Sequence, residues 1–314
     1  MHKPRVIVFS AKGRESLTEP QCALLASRAN VSYISVLNPL SDADLISYCS
    51  EAAFIGLTRR TTKNFHAGLI HALPHLKGIS VYATGTEWID VAALEQRHVC
   101  LKHLPDYSQD SVAEHTLGML LTLSRRIHLS DRIAREDLPR TVSLRGWEIK
   151  AKTIGIIGMG RIGQRIAELL QAFGVHLLYY DIQEKSIPDS LVHACDSQAQ
   201  LLSVSDVVIL CASMNRDSPT IVGEDEFAQI KPNAIVLNPG RAELVDRAAV
   251  YSALQAKRIA GYALDDYVFS AAEVAQLEHG RLLQTGHTAW YSDEAMQRGT
   301  DLWIQQLAEM IQND

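Results

Sequence analysis

Cysteine is scarce in this chain: Cys22, Cys49, Cys100, Cys195 and Cys211 are widely scattered, odd in number and never in C-x-x-C spacing. That pattern excludes a disulfide framework and a zinc ribbon, and reduced thiols in a cytosolic protein are expected. Long apolar runs are missing too. No segment approaches bilayer-spanning length, and the opening MHKPRVIVFS has no extended apolar stretch of the kind an export signal needs. Positive charge is in deficit, with 30 Lys and Arg against 36 Asp and Glu, a formal net charge of -6. Such a balance provides no long-range attraction for phosphate backbones or anionic lipid, so neither nucleic acid nor membrane is an expected partner. Internal repeats and low-complexity linkers are also absent. What is present is an ordinary globular composition, 47 % hydrophobic over 314 residues, long enough for two domains with a core each.

Short β-branched runs alternate with helical patterns from the start: RVIVFS, VSYISV, AAFIGL, GISVYA and VCLKH, with helices expected over about 19–28, 41–49, 63–72 and 91–97. Continuous apolar strands separated by helices are the mark of a parallel sheet covered on both faces. The segment SVAEHTLGMLLTLSRRIHLSDRIAR, 111–135, has no interior proline and reads as one extended connector helix. A second β-α alternation begins at KTIGIIG and continues through HLLYYD, DVVILC, AIVLN and IAGYAL, before a short strand, a loop and a helix from about Ser292. The fold class expected is α/β, with two Rossmann-like, doubly wound parallel-sheet domains.

Gly158, Gly160 and Gly163 stand in G-x-G-x-x-G spacing between an apolar strand and a helical pattern, and Asp181 closes the following strand. In that context the first glycine allows a tight turn, the second lets a pyrophosphate approach the backbone, and the third lets the helix pack on its strand. The helix N-terminus, opened by Arg161 and Ile162, faces the phosphates. Asp181 would accept the ribose hydroxyls and repel a 2'-phosphate, so NAD is the expected cofactor. Further on, Arg241 follows the strand AIVLN, where the crevice at strand carboxyl ends holds ligands, and His287 lies in the loop QTGHTAW.

Together with GTEWID at 85–90, SVAEHTLGMLL at 111–121, NPGRAELVD at 238–246, GYALDD at 261–266 and GHTAWYSDEA at 286–295, these residues resemble the D-2-hydroxyacid dehydrogenase family, which includes D-lactate, glyoxylate/hydroxypyruvate and D-3-phosphoglycerate dehydrogenases. The resemblance covers nearly the whole chain. It implies a cofactor domain inserted into a substrate domain, with 1–102 and 288–314 forming the substrate-binding domain, 103–287 the NAD-binding domain, and substrate and nicotinamide held in a cleft between them. The late position of the glycine fingerprint follows from that insertion.

The resemblance also implies roles. Arg241 binds the carboxylate and carbonyl of a 2-oxo acid, His287 is the general acid/base, and Asp265 stands near the carboxamide of the nicotinamide. Ala83, Thr84 and Gly85 form the loop whose amides meet the substrate carboxylate, Arg59 takes the position of a substrate-binding arginine in some members, and Trp290 walls the pocket, with Tyr291, Tyr82 and Trp88 shaping it. No metal is implied, and His66, His71 and His75 lack a joining carboxylate or cysteine. A cytoplasmic homodimer is expected, the segment DRIAREDLPRTVSLRGWE matching the region that reaches a partner.

One position departs from the family. Its supporting glutamate is here Ser270, in LDDYVFSAAEV. Three readings stand open: Glu273 reaches His287 through a rearranged loop; Ser270 orients the ring by a hydrogen bond, with activity biased towards reduction at mildly acidic pH; or the chain acts on another substrate or binds a partner. The second is the working expectation. The alternatives from outside the 2-hydroxy acids are a dehydrogenase of a small anion such as formate or phosphite, and an NAD(H)-sensing interaction protein.

Overall fold

The computed structural model describes residues 3–188, 190–214 and 218–314, which divide into two compact units. The first runs to Tyr107 and takes back Asp293–Asp314; the second is Ser108–Ser292. Each boundary falls a few residues beyond the ones expected from the sequence.

The first unit alternates β1 (Arg5–Ser10), α1 (Glu19–Arg28), β2 (Asn30–Ser35), α2 (Asp42–Cys49), β3 (Phe54–Thr58), α3 (Ala67–His71), β4 (Gly78–Tyr82), α4 (Val91–Gln96) and β5 (Cys100–His103). All its strand pairs are parallel, in the order β2-β1-β3-β4-β5. The reason is visible in the strands: Val6 to Phe9 and Phe54 to Leu57 are buried without alternation, as a sheet covered on both faces requires. The third helix is shorter than expected. Phe65 is fully buried and its amide bonds the Trp88 carbonyl at 2.8 Å, so 63–65 stay outside the helix and His66 becomes the N-cap.

The second unit opens with α5 (Gln109–Arg125) and α6 (Ile127–Ala134). One continuous helix was expected here. Arg126 instead adopts a left-handed backbone, φ 58°, and splits the segment. A non-glycine residue there costs about 1–2 kcal/mol. It is offset because the Arg126 guanidinium donates to the Gly280 carbonyl at 2.9 Å and the returning Trp147 amide takes the Ser124 carbonyl at 2.9 Å.

Then follow β6 (Thr153–Ile157), α7 (Arg161–Leu170), β7 (His176–Tyr180), β8 (His193–Ala194), α8 (Gln198–Val204), β9 (Val207–Leu210), α9 (Glu224–Gln229), β10 (Ile235–Asn238), α10 (Arg247–Gln255), β11 (Gly261–Leu264), α11 (Ala271–Val274) and β12 (Leu282–Gln284). The parallel order is β12-β11-β10-β9-β6-β7-β8, so the winding reverses beside β6, the switch point at which doubly wound sheets take ligands.

The last helix, α12 (Asp293–Gln312), belongs to the first unit. Trp303 anchors it: its indole nitrogen donates to the Ser80 carbonyl at 2.9 Å, and its ring lies against Gly56, where a Cβ would come within 2.9 Å. Among the described residues no helix is long and apolar enough to cross a membrane.

Candidate active site

In the second unit, β6 ends at Ile157 and the chain turns at once through Gly158, whose φ of 92° belongs to glycine. A Cβ there would lie 2.4 Å from the Ala212 amide, on the loop after β9, so the turn is pressed against that loop. Gly163 is needed for a different reason, since a Cβ would meet the Gly158 carbonyl oxygen at 2.3 Å as α7 packs on its strand. Gly160 is the contrast: a Cβ there would meet nothing within 4 Å. The space beside Gly160 is open where α7 begins, and that helix has no side-chain cap on its first amides and no acid in its first turn. Such an end suits a diphosphate. Arg161 opens the helix at the surface, and Ile162 packs partly against the core with its amide in the first turn.

Asp181 follows β7 and leans back over the turn. Its Oδ2 accepts the Met159 amide at 2.7 Å, its Oδ1 accepts the Gln183 amide at 2.8 Å, and Lys185 Nζ lies 3.6 Å away. A carboxylate offers about four acceptor positions, so two stay open for a ribose diol. The residues present therefore fit NAD. Behind the turn, burial pushes the Cys211 thiol up to about 12.

Arg241 lies three residues past β10. Asn238, 2 % exposed, shapes its turn: the Asn238 side-chain amide donates to the Arg241 carbonyl at 2.8 Å and to the Tyr262 hydroxyl at 3.2 Å. The main-chain carbonyl of the same Asn238 accepts the Asp265 amide at 3.1 Å. Asp265, 4 % exposed, then binds the loop that carries His287. Its Oδ1 accepts Thr285 Oγ1 at 2.6 Å and the Thr288 amide at 2.8 Å, and its Oδ2 accepts the Ala289 amide at 2.7 Å. His287 is exposed and left-handed, φ 56°, held by amides bonded immediately after it and by Trp290, whose indole nitrogen donates to the His287 carbonyl at 2.9 Å. Arg241, Asp265 and His287 are thus joined through one asparagine and one aspartate.

Two members of this network carried no role in the sequence. His115 Nε2 lies 3.0 Å from Thr285 Oγ1 and 3.9 Å from Asp265 Oδ1. Because the Thr285 hydroxyl donates to Asp265, His115 must donate to Thr285, which assigns the proton to Nε2. Both Asn238 and His115 stood inside the quoted motifs, but the Tyr262 hydroxyl, 24 residues from Asn238, and Thr285, 170 residues from His115, are brought to them only by the folded sheet.

The expectation for Ser270 is corrected. Its hydroxyl donates to Glu273 Oε2 at 2.8 Å and accepts the Glu273 amide at 3.3 Å, while the Ser270 amide donates to Glu273 Oε2 at 2.9 Å. Serine and glutamate close a capping box on α11, and Arg247 pairs with the same glutamate. The Ser270 amide, its hydroxyl and Arg247 hold the Glu273 carboxyl down to about 2. Among the described residues, Ser270 and Glu273 bond to each other and to Arg247 at the helix end, and neither is hydrogen-bonded to His287.

In the first unit, the loop Ala83, Thr84, Gly85 follows β4 and is fixed from three sides: the Ala83 carbonyl accepts the Leu104 amide at 2.9 Å, His103 Nδ1 lies 2.9 Å from the Thr84 carbonyl, and Trp88 Nε1 donates to the Gly85 carbonyl at 3.3 Å. Arg59, expected to bind substrate, is paired with Glu87 at 3.0 Å. Tyr82 and Trp88 are both held by packing. Tyr82 meets Tyr107 and Trp303 edge-on, and Trp88 is 4 % exposed. Trp290 and Tyr291 form an edge-on pair, centroids 5.2 Å apart, and Tyr291 is 62 % exposed.

Residues 117–289 match the model of a family described as D-isomer specific 2-hydroxyacid dehydrogenase, NAD binding domain. A glyoxylate reductase of Thermofilum pendens is 33 % identical over 266 residues, covering 81 % of this chain and 77 % of that protein. A D-3-phosphoglycerate dehydrogenase of Archaeoglobus fulgidus is 29 % identical over 242 residues, 76 % of this chain but only 45 % of the relative. Among solved structures, a D-lactate dehydrogenase of Aquifex aeolicus, complexed with NAD and lactic acid, has a TM-score of 0.82 at 24 % identity, with 98 % and 96 % of the two chains covered.

Proposed function

The chain belongs to the D-isomer specific 2-hydroxyacid dehydrogenase family, with NAD as its cofactor, and on that premise we propose that it interconverts a small D-2-hydroxy acid and its 2-oxo acid. The observation that carries the reading is the hydrogen-bonded chain from the Arg241 turn through Asn238 and Asp265 to the His287 loop, at the carboxyl edge of the sheet that also bears the glycine turn.

NAD, when bound, exchanges the hydride with the substrate carbon. The Arg241 guanidinium binds the substrate carboxylate and carbonyl oxygen, presenting paired donors to a planar anion. His287, as imidazolium, gives its proton to that oxygen in reduction and takes it back in oxidation. Asn238 and Asp265 hold the backbone turns that carry these two side chains. The amides of Ala83, Thr84 and Gly85 bind the carboxylate, and Trp290 borders the reacting site. In the cofactor's place, Asp181 accepts the ribose hydroxyls and disfavours a 2'-phosphate, so NADH is preferred to NADPH. A homodimer formed through the 131–148 segment, whose Leu144 is 42 % exposed, completes the reading, with a cytoplasmic location suited to five free cysteines.

The test is steady-state NADH oxidation with a panel of small 2-oxo acids. The native chain turns over at least one of them. His287→Ala lowers kcat by about 10²–10⁴ while NADH binding is retained. Tight NADH binding with no turnover on any member would refute the enzyme and leave a sensor of the cofactor's redox state.

A further inference from the structure

Arg59 stands just beyond β3 in the first unit, and two neighbours hold it. Its guanidinium carbon lies 5.7 Å from the centroid of the Trp88 ring, and its Nη1 lies 3.0 Å from Glu87 Oε1. Glu87 is the more enclosed partner, with 24 % of its side chain exposed against 57 % for Arg59. Trp88 in turn donates to the Gly85 carbonyl at 3.3 Å, so arginine, acid, indole and the 83–85 loop form one connected cluster. An arginine carrying its own carboxylate offers little net attraction to a second anion, and the acid repels any anion that approaches along the same edge. Arg60 and Lys63 are exposed on the neighbouring stretch, and neither is part of the pair.

We propose that Glu87 is a specificity-determining residue: by pairing with Arg59 beside the 83–85 loop, it restricts the substrate to 2-oxo acids whose side chain bears no second negative charge. The inference rests on the 2-oxo acid reading above, since it requires the substrate carboxylate to meet that loop. It narrows the substrate class to monoanions and assigns the sequence GTEWID a selective residue at its third position.

The experiment compares kcat/KM for glyoxylate and pyruvate with that for oxaloacetate and 2-oxoglutarate, in the native chain, Glu87→Gln, Arg59→Gln and the double variant. The native chain prefers the monoanions by about tenfold or more, an estimate for one like-charge contact at a partly exposed site. Glu87→Gln raises the dianion-to-monoanion ratio by about tenfold, mainly through KM, because Arg59 is released. Arg59→Gln lowers the ratio further, and the double variant loses the gain of Glu87→Gln. A ratio unchanged within about twofold in Glu87→Gln, or a native preference for the dianions through Arg60 or Lys63, would overturn the filter while leaving the dehydrogenase reading intact. Absence of turnover on all four acids by the native chain strikes the parent reading instead, and the filter falls with it.

Discussion

Replacing Asp265 by Asn tests whether a buried carboxylate holds the histidine loop in place. Oδ1 receives two donors, Thr285 Oγ1 at 2.6 Å and the Thr288 amide at 2.8 Å, and Oδ2 receives a third, the Ala289 amide at 2.7 Å. An asparagine keeps one acceptor oxygen for the first pair and turns its NH2 towards the Ala289 amide, donor facing donor. One hydrogen bond to a charged acceptor is lost, worth about 1.5–3 kcal/mol, and the other two weaken to neutral ones. The loss is about 3 kcal/mol at a site with 4 % exposure, where water cannot compensate. For a unit of this size, that lowers the melting temperature by roughly 6–12 °C. Calorimetry measures the shift, and hydrogen exchange at residues 288 and 289 localises it. Because His287 is left-handed and its backbone depends on those amides, kcat falls together with protection. A melting point within about 1 °C of native, with amides 288 and 289 still protected, would refute the assigned role.

Two further perturbations test the surroundings. Gly158→Ala places a Cβ 2.4 Å from the Ala212 main-chain amide at a φ of 92°, so the turn must open; a cost of at least about 3 kcal/mol and loss of NADH fluorescence enhancement are expected, and a native-like titration would contradict the tight turn. At the α11 cap, the folded carboxyl of Glu273 titrates near 2, below the usual carboxylate value of about 4.3. Its stabilising contribution is therefore complete above about pH 5 and fades as the pH falls towards 2. The melting-temperature gap between native and Glu273→Gln should be constant from pH 5 to 7 and close towards pH 2; a gap that widens on acidification would show the sign to be wrong.

Much of the architecture was legible because it depends on local chemistry. Short apolar runs such as AIVL and VVIL, bounded by turn residues, read as strands buried on both faces, and glycines at 158 and 163 mark a turn where any Cβ would strike backbone. The break at Arg126 was not legible. No glycine or asparagine announces it, and the partners that compensate the left-handed residue are Gly280 and Trp147, one of them 154 residues away. Arg241 and His287 were readable by position within motifs, but not how they are held.

By itself the sequence determined two parallel α/β sheets, a glycine turn followed by Asp181, and an arginine and a histidine just past the ends of strands, because periodicity and steric exclusion act over a few residues. Tertiary structure alone decided which acid does what. Asp265 is drawn into the His287 loop, Glu273 is taken by Ser270 and Arg247, and Glu87 is taken by Arg59. A carboxylate is claimed by whichever donors the fold brings within about 3 Å, and that distance is set by sheet order and loop return, which no run of neighbouring residues encodes.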